Sequence, residues 1–332
     1  MKTIKPDYFD SFRCIADQCP DSCCKEWDVQ VDAEKAAFYR ALPGDLGDRL
    51  RQVLKDEDGE TVMTIENCRC PMWRTDGLCR IQAELGEDAL CKTCRDFPRL
   101  THDYGEFIEY GLELSCPEAA RIILNTPEPL FVTQEIPGGE APEYDTADMD
   151  VLLRTRETAR KILADSARSI PERLTLLFLY AYQAQAELNG VEMPPYSGGT
   201  SLLAHARKYA RSGDMAQILA FFRGLEILTP DWAARLEAPA PAPWEPRHLT
   251  LARYFVDRYW LQAISDYDLV GRGKLAVVSC LLVKTLGGDL IGTAQLYSKE
   301  IENSIENVEA ILDAIYEDPI FSDVLLSGLL LL

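Results

Sequence analysis

Histidine is scarce in this chain: only His102, His205 and His248 occur among 332 residues. Basic residues are also short, 34 Lys and Arg against 54 Asp and Glu, which leaves a formal charge of -20. A nucleic-acid binder needs Lys and Arg to neutralise phosphates, so this balance excludes that class and suits a cationic partner such as a lysine-bearing protein surface. Long apolar runs are missing too. The longest near the C-terminal end, Leu275 to Val283, falls far short of the roughly 20 residues that span a bilayer. The opening Met1-Lys2-Thr3-Ile4-Lys5-Pro6 has no apolar signal core, and the expectation is a cytoplasmic protein without a membrane partner. Phosphate-loop chemistry lacks its motif: Gly271-Arg272-Gly273-Lys274 has no Walker spacing, and Gly287-Gly288 follows a helical run, so both read as helix ends. There is no internal repeat.

Cysteine, by contrast, is abundant and badly distributed. Of eleven, Cys280 alone lies beyond Cys116. Cys14, Cys19, Cys23 and Cys24 fall within one short stretch, followed by Cys68, Cys70, Cys79, Cys91, Cys94 and Cys116. Disulfides rarely persist in a reducing compartment, so a dense thiol cluster there points to metal binding or redox chemistry. Four thiolates close a tetrahedral zinc site or hold a cubane iron-sulfur cluster. Zinc fingers and ribbons pair regular C-x2-4-C knuckles, a form that only Cys91/Cys94 and Cys19/Cys23 approach, and the irregular spacing favours a cluster. The radical C-x3-C-x2-C loop is broken because Cys24 directly follows Cys23. Cys280, inside an apolar run, reads as a small buried hydrophobe.

The predicted fold is mainly α with a few short strands: a cysteine-rich metal-binding domain over 1–125, an acidic connector over 126–150 and an α-helical domain over 151–332. Pro20, Asp21 and Ser22 are expected to open a short helix. Alternation at Trp27, Val29 and Val31 predicts a strand, as do 62–66 and 107–114. Helices are expected over 33–42, 46–54, 80–85 before Gly86, and 117–124. Beyond the connector, apolar spacing predicts helices over 150–167, 171–188, 202–211, 215–228 and 274–286. Ala252, Phe255, Tyr259 and Ala263 predict one more, and Ile301, Ile305, Val308, Leu312 and Ile315 another. The four prolines of 238–246 interrupt them.

Several of these residues together resemble the flagellin lysine N-methylase family: Phe12-x-Cys14-x4-Cys19-x3-Cys23-Cys24-x2-Trp27, Cys70-Pro71, Gly77-Leu78-Cys79-x-Ile81-Gln82, Cys94-x2-Phe97-Pro98-Arg99, and Ser115-Cys116-Pro117-Glu118-Ala119-Ala120-Arg121. The resemblance covers about 6–124 and places the family's recurring cysteines on Cys14, Cys19, Cys23, Cys24, Cys70, Cys79, Cys94 and Cys116, with Cys68 and Cys91 outside the set. It implies methyl transfer from S-adenosylmethionine to lysine amines of flagellin, with a 4Fe-4S cluster, or alternatively zinc, in the cysteine domain. The competing readings are a metal-stabilised flagellin-binding or chaperone-like module and a cluster-based redox sensor, neither of which transfers a methyl group.

Methyl transfer from a sulfonium to an amine is an in-line displacement that needs the lysine neutral and aligned about 3 Å from the methyl. Lysine ordinarily titrates near 10.4, so a carboxylate, a tyrosine or water must take its proton, or burial must lower its pKa. Among residues near the cysteines, Trp27 is a candidate for cation-π contact with the cofactor or the lysine, against a simple packing role. Arg99, Glu118 and Arg121 are candidates for the cofactor's carboxylate or the amine, against ordinary surface ion pairs. No catalytic base is evident.

Overall fold

The computed structural model describes residues 1–24, 29–57, 59–66, 69–139 and 141–332. Trp27 and Cys68 lie outside them. The structure is 58% helix and 12% strand, a mainly helical body with a mixed N-terminal part. In chain order the N-terminal part runs β1 (Lys2–Pro6), β2 (Val29–Val31), α1 (Ala33–Ala41), α2 (Gly44–Val53), β3 (Leu54–Glu57), β4 (Glu60–Met63), α3 (Arg80–Leu85), α4 (Lys92–Asp96), β5 (Arg99–Asp103), β6 (Phe107–Leu112) and α5 (Pro117–Leu124). There follow β7 (Phe131–Glu135), α6 (Thr146–Ala164), α7 (Ile170–Leu188), α8 (Thr200–Tyr209), α9 (Met215–Arg223), α10 (Pro230–Glu237), α11 (Arg247–Tyr259), α12 (Ala263–Asp266), α13 (Leu269–Leu286), α14 (Leu290–Ile301), α15 (Ile305–Glu317) and α16 (Asp323–Leu331).

Two small sheets hold the N-terminal part. One has the order β5-β6-β1-β7, with β1 parallel to β6 and antiparallel to β7. The other is the antiparallel set β2-β4-β3. The stretch 126–150, expected as an acidic connector, therefore supplies an edge strand and the first turn of α6. The pairing of Lys2 with Glu135 and of Pro6 with Phe131 spans most of the N-terminal part, and no local pattern announces it.

Apolar packing forms two cores. A smaller core joins Val29, Val31, Tyr39, Leu50, Met63, Met72 and Ile81 with Cys70 and Cys91. The larger core runs from Phe12 and Leu112–Leu124 through the helices to Leu330. Its centre is α13, in which nearly every residue from Leu269 to Leu286 is buried. Gly273 belongs to that packing: a Cβ there would lie 2.6 Å from that of Ala181 on α7, so the two helices approach at a position only glycine allows. The buried cations of α13 are satisfied. Lys274 reaches the Phe321 carbonyl at 3.1 Å and Asp323 at 2.8 Å, and Arg272 donates to the Tyr259 carbonyl at 2.9 Å and to Asp266 at 2.8 Å.

Three expected helices differ. Among the described residues no helix opens at Pro20; a 3-10 turn over Ala16–Gln18 is followed by irregular backbone through Cys24. The periodic run from Ile301 to Ile315 is broken, because Ser304 caps α15 by accepting from the Asn307 amide and so separates it from α14. The helix predicted through Ala263 ends as α11 at Tyr259, then tightens into a 3-10 turn. Among the described residues no helix is long and apolar enough to cross a membrane.

Candidate functional site

The thiols converge because short turns fold the chain back on itself. The Cys70 amide donates to the Cys24 carbonyl at 2.6 Å, which ties the first cysteine stretch to the second. Between Cys70 and Cys79 the chain reverses at Asp76-Gly77: the Arg74 amide bonds the Leu78 carbonyl at 2.9 Å, Asp76 accepts from the Leu78 amide, and Gly77 adopts a φ of 84°. Asp32 caps α1 through the Lys35 amide and also accepts from the Lys92 amide at 2.8 Å, anchoring the Cys91–Cys94 turn beside β2. Cys116 precedes α5, whose Pro117 occupies the first helical turn.

As a result the Cys24 thiol lies among those of Cys23, Cys70 and Cys79, toward which its single proton can turn. Cys24 keeps its proton, its pKa raised by those neighbours, while its partners move toward thiolate. Cys79 falls to about 6, first because of the bond from Cys24. Cys70 and Cys23 are lowered for the same reason. Cys91 and Cys94 form a second hydrogen-bonded pair in which Cys91 is lowered and Cys94 raised. Cys94 feels the charges of Cys23 and Cys70, so the pair adjoins the first group. On the other side Cys14 and Cys23 act on Cys19, and Cys19 and Cys23 act on Cys116, whose thiol burial pushes up to about 12. All eight cysteines singled out by the resemblance thus lie within one connected neighbourhood. Cys91, set outside them, packs there as well; its C-x2-C spacing to Cys94 was the signal. Cys280 is fully buried in the helical core, as expected.

Among the described residues no group of three or more His, Cys, Asp or Glu is placed so that it could hold a metal ion. The donor set is nonetheless one that soft metal ions select: close thiols, several of them biased toward thiolate, brought together from separate stretches. The chemistry of these donors, rather than their placement, is what suits zinc or an iron-sulfur cluster.

Beside the thiols opens a cleft of about 700 Å³, whose walls come from the loop bearing Asp21, the start of α5 and helices α10 and α14. Lys299 and Gln295 of α14 hold the loop by reaching Asp21 Oδ2 at 3.0 and 3.2 Å, and Gln295 also donates to the Ser115 carbonyl at 2.7 Å. These contacts tie the thiol region to the helical body immediately before Cys116. Glu118, Asp231 and Asp289 add carboxylates to the wall. Each stands at the beginning of a helix, where an acid is favoured by the exposed backbone amides. Among the described residues neither Asp231 nor Asp289 enters an ion pair, although one oxygen of Asp289 caps α14 at the Gly292 amide.

Of the cofactor-binding candidates, Glu118 and Arg121 line this cleft as a bidentate pair at 2.7 and 2.6 Å. That bond holds the Glu118 carboxyl below its usual range. Arg99 stands apart, its guanidinium 5.1 Å from the centre of the Phe12 ring. Trp27 lies outside the described residues. Asp231, Asp289, Gln295 and Lys299 were not anticipated. Thr229-Pro230-Asp231 and Asp289 are readable as helix starts, but nothing local shows that those starts meet at one cleft.

The architecture defines a protein with a thiol-rich region docked on a helical body, beside a cleft lined by Asp21, Glu118, Asp231 and Asp289 and by Arg121, Arg235 and Lys299. Part of that chain has relatives. It is 32% identical over 145 residues to the lysine-N-methylases of Salmonella typhimurium and Salmonella choleraesuis, a stretch covering 41% of this chain and 36% of those proteins. It is 33% identical over 148 residues to the flagellar biosynthetic protein FliU of Salmonella muenchen, covering 41% of this chain and 86% of FliU. No family model and no solved structure matches. The chain belongs to the lysine-N-methylase/FliU family, and it spans about a third of the length of the lysine-N-methylases that it matches.

Proposed function

We propose that this protein transfers a methyl group from S-adenosylmethionine to lysine side chains of flagellin. The observation that carries the reading, beside family membership, is that Pro20 and Pro117, next in the chain to Cys19 and Cys116, line a cleft in which Asp231 and Asp289 suit a cationic side chain. Asp231 and Asp289 would receive the incoming ammonium, and the Ile15–Asp21 side of the cleft would orient it against the cofactor. A carboxylate within hydrogen-bond reach of the amine also accepts the proton that must leave before the nitrogen lone pair is available. The thiols fitted to hold a 4Fe-4S cluster, or zinc, are those of Cys14, Cys19, Cys23, Cys24, Cys70, Cys79, Cys94 and Cys116. When bound, the metal supplies a cross-link that fixes the cysteine loops and with them one wall of the cleft.

The test uses protein purified without oxygen and analysed for iron, zinc and labile sulfide, then incubated with flagellin and methyl-labelled S-adenosylmethionine. The expected result is label on flagellin lysines, lost when Asp231 and Asp289 are both replaced by Asn while the metal is retained. Metal-loaded protein that binds flagellin yet transfers no label would overturn the enzymatic reading in favour of a binding module.

A further inference from the structure

The cleft beside the cysteines carries three cations in its wall: Arg121, Arg235 and Lys299. Two of them meet an acid, since Glu118 takes Arg121 in a bidentate pair and Asp21 takes Lys299 at 3.0 Å. Arg235 meets none. Asp231 stands four positions before it on α10, a spacing at which an ion pair is within reach, yet among the described residues no carboxylate lies within ion-pair distance of Arg235.

The guanidinium is drawn to the turn between α13 and α14 instead. Its Nη1 donates to Thr293 Oγ1 at 2.7 Å and to the Gly287 carbonyl at 3.3 Å, and Thr293 donates to that carbonyl at 2.7 Å. Gly288 leaves room for this arrangement, because a Cβ there would crowd Nη1 at 3.3 Å. These bonds occupy one nitrogen only. Nε and Nη2 make no hydrogen bond among the described residues and stay open to solvent. They are the two nitrogens through which Arg121 grips Glu118, the fork that fits both oxygens of a carboxylate. A guanidinium that merely satisfies the last carbonyl of α13 needs Nη1 alone. That role leaves the unoccupied fork, on the wall that also carries Asp231 and Asp289, without an explanation.

A lysine side chain engages those two acids and offers Arg235 nothing. The methyl donor does carry an anion. Resting on the reading that S-adenosylmethionine is that donor, we propose that Arg235 binds the carboxylate of its methionyl end. At about 700 Å³ the cleft has the size of a small-molecule site, roughly 300–1,000 Å³. Ile291 and Leu296 in the same wall suit the methylene chain that joins the carboxylate to the sulfonium.

Isothermal titration of the full metal-loaded chain with S-adenosylmethionine and with its decarboxylated form, which keeps the sulfonium and the amine, tests this. The unaltered protein is expected to prefer S-adenosylmethionine by about tenfold or more, the contribution of a charge-assisted pair. R235Q is expected to lose that preference by binding S-adenosylmethionine more weakly while binding the decarboxylated form as before. R235K keeps the charge without the fork and is expected to lose part of the preference, which preserves the test if R235Q fails to fold. R121Q, whose guanidinium Glu118 already occupies, is expected to keep it. Equal weakening of both ligands in R235Q, or the full preference retained in a folded Arg235 variant, would overturn the assignment while leaving S-adenosylmethionine as the donor. Failure of the unaltered protein to bind either ligand would overturn it together with the donor reading.

Discussion

The two apolar cores of this protein are held together by different means. The larger one closes around α13, whose side chains are buried on every face, and is built from helices long enough to contribute several turns each. The smaller one comes from about 60 residues around strands of three or four residues and from Tyr39, Leu50 and Met72, with Cys70 and Cys91 as part of the packing. A core of that size rarely stands on its own without a disulfide, a metal or a covering partner. Cys24, Cys70, Cys79, Cys91 and Cys94 therefore stand where the apolar packing is least sufficient, and the difference teaches where a cross-link would contribute most.

The sharpest way to break this comparison is to remove one thiol from each core. Cys24→Ser deletes the sulfur that lies among those of Cys23, Cys70 and Cys79; it is expected to lose bound metal and to melt the smaller core, read as metal content and as a separate low-temperature transition in calorimetry. Cys280→Ser lies wholly in the larger core and is expected to keep the metal, with only local destabilisation. Equal metal loss in both variants would remove the distinction.

A second effect is expected where the four-stranded sheet meets the helical body. Arg156 of α6 forms a buried bidentate pair with Glu109 of β6 at 2.7 and 2.6 Å. Arg156→Met leaves the Glu109 carboxylate buried without its cation, and a loss of about 3–5 kcal/mol is expected in urea unfolding. Adding Glu109→Leu is expected to restore most of it, because the cost belongs to the unpaired charge. A double variant as unstable as the single one would show that the pair contributes by packing.

The smallest effect lies in the larger core's caps. Glu172 closes a capping box on Ser169 at the start of α7 and pairs with Arg207. The Ser169 amide first, then Arg207, holds its carboxyl down at about 2. Its contribution is complete above the ordinary carboxylate range and is lost as the pH falls through about 2. Glu172→Gln is expected to cost about 1 kcal/mol at neutral pH and to flatten the acid limb of the stability profile there.

The sequence carried the local features well. Pro117–Leu124 and Arg80–Leu85 form as expected because a proline opens one and Gly86, at a φ of 86°, closes the other. The family was legible from the spacing of the cysteines and the residues around them. What stayed hidden depends on distant contacts. Strands β1 and β7 are defined by each other across about 130 residues, the Asp231 and Asp289 helix starts meet only in the folded chain, and Ser304 splits a run whose apolar spacing continues unbroken through it. Periodicity reports which face is buried, and it is blind to a cap that ends one helix and begins the next in the same register.

Hydrogen exchange read by mass spectrometry, on metal-loaded protein and on the same protein after chelation under reducing conditions, tests the central claim most directly. The account predicts that amides of α1, α2 and β2–β4 lose protection on metal removal while those of α7 and α13 keep theirs. Unchanged exchange in the smaller core, or an equal loss across both, would contradict it.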